Sequence, residues 1–362
     1  MKIGIYDPYL DDLGGGEKYM MTIAEVLSKD HEVSVFWDKP EDLKPLTQRF
    51  ALDISKIKVV KNIFSPSISL PSRFLESKKY DAIIVLSDGS IPVLGTKLYV
   101  HFQQPFPNIQ AGFKNKLKGI KVNAYFCNSE FTKSYIDKEF GIQSKVIYPP
   151  IDIKPIKVQK ENIILTVGRF RVKDVTTVKG ENASPVGDYK KQGIMIKAFS
   201  QMVKEGLSGW KFIIATSVNE NEREIFEEFK KQAKDFPIEF LVNKTNSELW
   251  ETYSKAKIYW HASGFGEDLT NHPEFAEHFG ISTVEAMGAG AVPVVISAGG
   301  QKEIVTNERD GYLWETIEEL KSFTLKLVEN KKLLSDMSSQ ATKVADLFGG
   351  NRFEQEIKSL IK

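Results

Sequence analysis

Short apolar runs alternate along this chain with longer stretches in which apolar residues recur every third or fourth position. Runs at 3–7, 31–37, 80–86, 97–101 and 124–127 read as buried strands, as do those at 162–168, 210–216, 238–242 and 257–261 and the one ending at Ile296. Tyr19, Ile23 and Leu27, with Met20 and Ala24 alongside, mark a helix. Residues 192–203, 222–234 and 249–254 carry others, and Leu320, Phe323, Leu325 and Leu327 are apolar positions of later ones. Ser129 stands as the N-cap of a helix after the 124–127 strand, with Thr132 instead of glutamate three residues on. Pro66 and Pro71 make residues 64–75 read as a loop. This strand–helix alternation predicts an α/β protein with doubly wound parallel sheets. A polar, proline-containing linker at 153–161 divides it into domains at 1–155 and 156–344, followed by an amphipathic stretch within 345–362.

A length of 362 residues suits two domains that each bury a core. The net charge of +1 points to no polyanionic partner, and no nucleic acid is expected. Residues 1–158 carry 22 Lys and Arg against 18 Asp and Glu, leaving −3 for the remainder. The single cysteine, Cys127, excludes an internal disulfide and a cysteine zinc site, and its strand context predicts a buried, inert thiol. No apolar run is long enough to span a membrane, and the start of the chain enters a strand without a leader-like core. A cytoplasmic protein is expected. Residues 113–121 interleave lysines with apolar residues, as would suit peripheral contact with the inner face of a membrane.

The candidate chemistry concentrates at Glu277-His278-Phe279-Gly280-Ile281-Ser282-Thr283-Val284-Glu285. A short helix opening after Gly280 would offer free backbone N–H groups and the positive end of its dipole to a phosphate, with Ser282 and Thr283 adding hydroxyls. Glu285, one turn in, would accept two hydrogen bonds from a ribose diol, and Glu277 would reach a sugar hydroxyl. Arg169 ends a buried strand and suits a diphosphate. Gly14-Gly15-Gly16 follows the first strand and would let a backbone approach phosphate closely. His101 closes another strand, where an open α/β sheet binds its ligands.

The two-glutamate region, with Ala286-Met287-Gly288-Ala289-Gly290 and Gly299-Gly300-Gln301-Lys302-Glu303-Ile304-Val305 after it, resembles the retaining GT-B glycosyltransferases of family 4. The Glu-His-Phe-Gly-Ile form is most similar to the mannosyltransferases that extend dolichol-linked mannose. The resemblance implies two Rossmann-like domains facing a central cleft, residues 1–155 binding the acceptor and 156–344 the nucleotide-sugar, with the C-terminal helix returning to the first domain. It implies a nucleotide diphosphate-sugar donor, GDP-mannose or a UDP-hexose, and a glycan or lipid-linked acceptor. Hexose transfer with retention would proceed without a cofactor or catalytic metal. By the same resemblance Arg169, Lys190, Glu277 and His101 are catalytic, with Lys191 as the alternative to Lys190. Gly15, Gly16, Phe279, Gly280, Ile281, Ser282, Thr283 and Glu285 bind the donor, and Val242 and Asn243 lie near its base. The segment 171–189 is longer than the family usually has there and reads as a loop. A metal site made from the histidines and carboxylates between 261 and 278 matches no compact ligand spacing. Two other readings share the fold: a nucleotide-sugar 2-epimerase and a non-catalytic nucleotide-sugar-binding subunit. A nicotinamide dehydrogenase lacks its glycine fingerprint.

Overall fold

The computed structural model describes residues 1–11, 14–106, 122–170 and 189–362. The lysine-rich run at 113–121 and nearly all of the 171–189 segment lie outside the described residues. Two units emerge: Met1–Pro150 with Phe348–Lys362, and Ile151–Leu347.

In the first unit the order is β1 (Lys2–Tyr6), α1 (Gly15–Ser28), β2 (Glu32–Phe36), α2 (Leu43–Phe50), β3 (Ile57–Val60), α3 (Leu70–Ser77), β4 (Ala82–Leu86), β5 (Lys97–Phe102), β6 (Val122–Cys127), α4 (Glu130–Phe140) and β7 (Lys145–Val146). The strands form one parallel sheet in the order β3-β2-β1-β4-β5-β6-β7. Both faces are covered, which is why the strands read as continuous apolar runs. Ile3, Ile5, Ile84 and Leu86 face one core with α1; Ile83, Val85, Leu98 and Val100 face the other.

The expected loop at 64–75 is corrected: its last residues open α3. Ser69 caps the helix by accepting the Ser72 N–H, and Pro71 sits in the first turn, where a missing N–H removes no hydrogen bond. The Ser129 cap of α4 is present, accepting the Thr132 N–H at 3.0 Å. Cys127 is buried, and burial pushes its thiol up to about 12.

The second unit runs β8 (Ile163–Arg169), α5 (Gln192–Lys204), β9 (Lys211–Ser217), α6 (Arg223–Lys230), β10 (Ile238–Val242), α7 (Asn246–Lys255), β11 (Ile258–His261), α8 (Ile281–Gly288), β12 (Val292–Ile296), α9 (Gln301–Ile304), β13 (Tyr312–Trp314), α10 (Ile317–Glu329) and α11 (Lys331–Ala345). Its parallel sheet has the order β10-β9-β8-β11-β12-β13. The order reverses between β8 and β11, and open α/β sheets bind ligands beyond the carboxyl ends of the strands at such a switch point.

The last helix, α12 (Gly350–Ile361), belongs to the first unit. It buries Phe353, Ile357, Leu360 and Ile361 in the same core as α1. Phe353 meets the Tyr19 ring edge-on at 5.1 Å, and Arg352 donates to the carbonyl of Tyr148 at 2.8 Å.

Candidate functional site

The second unit's switch point collects charged side chains from four segments. Arg169 ends β8, half-buried, and His261 ends β11, almost fully buried. Lys190 arrives from the residues just before α5, and Glu277 from the loop before α8. The Lys190 ammonium donates to Glu277 Oε2 at 2.6 Å, and His261 Nε2 lies 2.9 Å from the same oxygen. Burial alone would raise the Glu277 carboxyl, but Lys190 and His261 outweigh it and hold the group well below the usual carboxylate range. Burial lowers His261, with Glu277 opposing. A neutral imidazole therefore donates its Nε2 proton to the carboxylate.

Glycines shape this cluster. A Cβ on Gly168 would stand 3.0 Å from Lys190 Cγ, so the bare end of β8 lets the lysine lie across it. A Cβ on Gly299 would reach within 2.2 Å of the Glu277 carbonyl oxygen, and one on Gly300 within 2.4 Å of Phe279 Cα and its carbonyl oxygen. The turn at 299–300 therefore packs backbone to backbone under the loop that carries Glu277. Gly300 N–H donates to the Glu277 carbonyl at 2.8 Å.

The helix α8 opens after Gly280, whose φ of 123° few other residues adopt. Gly280 and Phe279 are both buried, with Gln301 and Ile304 packed against Gly280. Ile281 and Ser282 are half-exposed at the helix start, and Ser282 accepts the Tyr259 hydroxyl at 2.7 Å. Tyr259 and His261 share one face of β11, so a single strand braces both the helix start and Glu277. Glu285 lies one turn in and accepts the Tyr253 hydroxyl at 2.9 Å. The other end of α8 is fixed by Lys160, which donates to the carbonyls of Ala256 and Ala289 at 2.7 and 2.6 Å.

Several of the expected site residues have defined surroundings within the unit. Thr283 is fully buried beside Val284. Lys191 is also buried and adopts φ 56°; it pairs with Glu267 at 2.6 Å and is not part of the Glu277 cluster. Asn243, at the end of β10 beside the half-buried Val242, uses its amide to bridge both backbone groups of Val218. Its side chain is already committed.

In the first unit, His101 stands one residue from the end of its strand, opposite Leu86 at the end of β4. It lies within β5, fully buried, stacked on Tyr19 at 4.2 Å and on Phe126 at 4.5 Å, with Nδ1 3.1 Å from the Phe126 carbonyl. Burial lowers its pKa to about 3, with the Phe126 carbonyl opposing. Protonation thus favours the unfolded chain. The stability held by neutral His101 is complete above the ordinary value of 6.5 and is lost as pH falls towards 3. A His101→Phe variant, which stacks without titrating, should flatten the stability profile across that window by up to about 1.4 kcal/mol per pH unit. Urea denaturation at a series of pH values measures it, and an unchanged slope would refute the buried neutral ring.

Gly15 and Gly16 open α1. A Cβ on Gly16 would fall 2.1 Å from Gln103 Oε1, and Gln103 Nε2 donates to the Gly16 carbonyl at 3.0 Å. An added methyl there would displace only the tip of the Gln103 side chain. Among the described residues no group of three or more His, Cys, Asp or Glu is placed to hold a metal, and no helix is long and apolar enough to cross a membrane.

Sequence reasoning missed His261, Tyr253, Tyr259 and Glu267 as parts of the site. Their signal was present only as a histidine at a strand end, two aromatic residues at core positions and an acidic stretch.

Known proteins bear on this geometry. The model of the glycosyl transferases group 1 matches residues 184–344. The chain is 24% identical over 245 residues to the GDP-Man:Man(3)GlcNAc(2)-PP-Dol alpha-1,2-mannosyltransferase of Dictyostelium discoideum, covering 62% of this chain and 43% of that one. It is 30% identical over 169 residues to a probable sucrose-phosphate synthase of Thermosipho melanesiensis, covering 46% and 37%. The chain spans about two-fifths of the length of these relatives. The crystal structure of Anabaena Alr3699/HepE in complex with UDP superposes with a TM-score of 0.74 at 19% identity over 99% of each chain. That likeness extends the two-sheet α/β fold to the whole chain. The stretch that matches the glycosyl transferases group 1, residues 184–344, contains Lys190, Glu277 and Glu285.

Proposed function

We propose that this chain is a retaining hexosyltransferase that moves a hexose from a nucleotide diphosphate-sugar to a hydroxyl of a glycan or lipid-linked acceptor. The observation that carries the reading is the Lys190–Glu277–His261 cluster at the β8/β11 switch point, beside the open start of α8. A leaving diphosphate needs positive charge, and Lys190, Arg169 and the helix start supply it without a metal. Glu277, kept ionised and oriented by His261, would accept a sugar hydroxyl. Glu285 would accept the ribose diol, with Tyr253 fixing its other side. Lys190, and not Lys191, is the phosphate lysine in this reading, because Lys191 is buried against Glu267.

In the reaction the acceptor oxygen bonds to the anomeric carbon on the face that the diphosphate leaves. The bond from that carbon to the phosphate oxygen breaks, and the acceptor's proton passes to the departing phosphate. No covalent enzyme intermediate is required. The mannosyltransferase relatives favour GDP-mannose as the donor; the UDP complex of a structural neighbour makes a UDP-hexose the second candidate.

Thermal unfolding with GDP-mannose, UDP-glucose, UDP-N-acetylglucosamine, GDP and UDP tests the donor site. A ligand at a hundred times its Kd adds about 2.7 kcal/mol. One of the five should raise Tm, and Glu285→Ala should weaken that ligand by about ten- to a hundredfold, the worth of a charge-assisted hydrogen bond pair. A panel with no effect on the unsubstituted chain would refute the donor site.

A further inference from the structure

Three consecutive residues before α5 are tied to one loop. The Tyr189 hydroxyl donates to the Glu274 carbonyl at 3.0 Å, the Lys190 ammonium to Glu277 at 2.6 Å and the Lys191 ammonium to Glu267 at 2.6 Å. The outer two bonds therefore flank the lysine that faces Glu277. Glu267 is delivered by a turn of its own. Gly264 and Gly266 adopt φ 98° and 72°, and the Glu267 N–H donates to the Gly264 carbonyl at 3.1 Å.

Lys191 is unusual in its backbone and in its surroundings. It is the N-cap of α5, a position that is ordinarily extended, yet it has φ 56° and ψ 32°, in the left-handed region. A lysine there costs free energy because its Cβ crowds the following carbonyl; glycine or asparagine enters more readily. The Lys191 and Glu267 side chains are also enclosed, only 7% and 14% exposed. A buried ion pair adds little net stability over apolar residues of similar volume. Backbone strain of this kind persists where the surroundings enforce it, and it gathers at working sites. Here the neighbouring residue supplies the reason. The dihedrals at 191 set the direction in which residue 190 leaves the helix. Lys190 needs a particular direction, because its stem lies along Gly168. A Cβ added to Gly168 would meet Lys190 Cγ, Cδ and Cε at 3.0, 3.3 and 3.5 Å.

We propose that Lys191 is a positioning residue: its buried pair with Glu267 holds the left-handed turn that aims Lys190 along Gly168 at Glu277. The aim concerns two residues of this chain and needs no ligand. Its consequence for a leaving diphosphate rests on the transfer reading.

Two double variants remove the ion pair without stranding a charge. Lys191→Asn with Glu267→Gln keeps a residue that accepts the left-handed turn, and Lys191→Val with Glu267→Gln installs one that resists it. Adding Lys190→Met to each shows whether Lys190 still meets Glu277, since a lysine aimed elsewhere is removed without stranding that carboxylate. In the unsubstituted chain and in the Asn background, Lys190→Met should lower Tm by about 5–10 °C. In the Val background the fall should be less than half as large. A merely structural Lys191 would lower Tm in both double variants and leave their dependence on Lys190 equal. Equal dependence therefore overturns the proposal. So does loss of the dependence in the Asn background, which would show that the ammonium acts otherwise than through the turn. If Lys190→Met leaves the unsubstituted chain's Tm unmoved, the Lys190–Glu277 pair is refuted and the proposal with it. Should the Val pair fail to fold, Lys191→Ala with Glu267→Gln takes its place; its dependence should fall between the other two, and equality with the Asn pair overturns the proposal. Transfer gives a second readout: kcat should be about tenfold lower in the Val pair than in the Asn pair, with KM moving less, and equal kcat values would refute the aim. If the Tm pattern holds but the unsubstituted chain turns over no nucleotide-sugar, the positioning stands and the transfer reading falls.

Discussion

Lys190→Ala is expected to lower kcat/KM for hexose transfer by about a hundred- to a thousandfold, the usual consequence of removing one preorganised group from developing charge. It should also destabilise the second unit. Lys190 and Glu277 are each about one-fifth exposed and lie 2.6 Å apart, so deleting the lysine strands a largely enclosed carboxylate. Losing one partner of such a pair costs about 3 kcal/mol. The contribution has a pH signature. The Glu277 carboxyl is held well below its ordinary 4.5, so the pair's stability is fully present above that value and disappears as pH falls through the lowered one. The double variant Lys190→Met, Glu277→Gln should recover much of the stability and none of the activity, because it removes the stranded charge without restoring the cation. Urea denaturation and a transfer assay separate the two effects. Full activity in Lys190→Ala, or a greater loss in Lys191→Ala, would show that the phosphate lysine has been placed wrongly.

Gly300→Ala should be strongly damaging to the second unit's site. The added Cβ would lie 2.4 Å from Phe279 Cα and carbonyl oxygen and 2.8 Å from the His278 carbonyl oxygen. These are backbone atoms, which cannot swing aside as a side-chain tip can. Relief requires moving the 277–280 loop or the 299–300 turn. Forced repacking of this kind costs about 2–3 kcal/mol, a fall in Tm of roughly 5–10 °C for a unit of this size. The displaced loop carries Glu277 and the start of α8, so the stabilisation by a nucleotide-sugar should fall with it. Gly350→Ala is the control: nothing lies within 4 Å of its added Cβ, at the start of α12. It should be neutral or slightly stabilising. A Gly300→Ala protein that melts like the unsubstituted chain would refute the close packing of the two loops.

Much of the fold was legible along the chain because parallel strands covered on both faces leave uniformly apolar runs. Ala82–Leu86 and Val292–Ile296 are buried at every position. The glutamates of the site were legible for another reason. A phosphate-binding helix start and a carboxylate one turn later are local features, set by neighbours in sequence, and the motif that holds Glu277 and Glu285 is contiguous. The helix at Leu70–Ser77 was obscured because the same proline that ends a helix can also begin one, and only the Ser69 cap tells the two apart.

What the linear chain left open depends on contacts between distant segments. It did not distinguish Lys190 from Lys191, since adjacent residues differ only in the direction their side chains leave the backbone; the left-handed conformation at Lys191 turns it to Glu267, and Lys190 crosses Gly168 to Glu277. It placed His101 near the carboxyl edge of its strand but did not show that Tyr19 and Phe126 enclose it there. It gave no role to His261, Tyr253 or Tyr259, because their partners lie 16 to 32 residues away. The sequence by itself determined the two α/β domains and the helix start after Gly280, because periodicity and turn chemistry are short-range. The tertiary structure decided which charges meet, because an ion pair in a low-dielectric setting depends on a few ångströms that no spacing along the chain specifies.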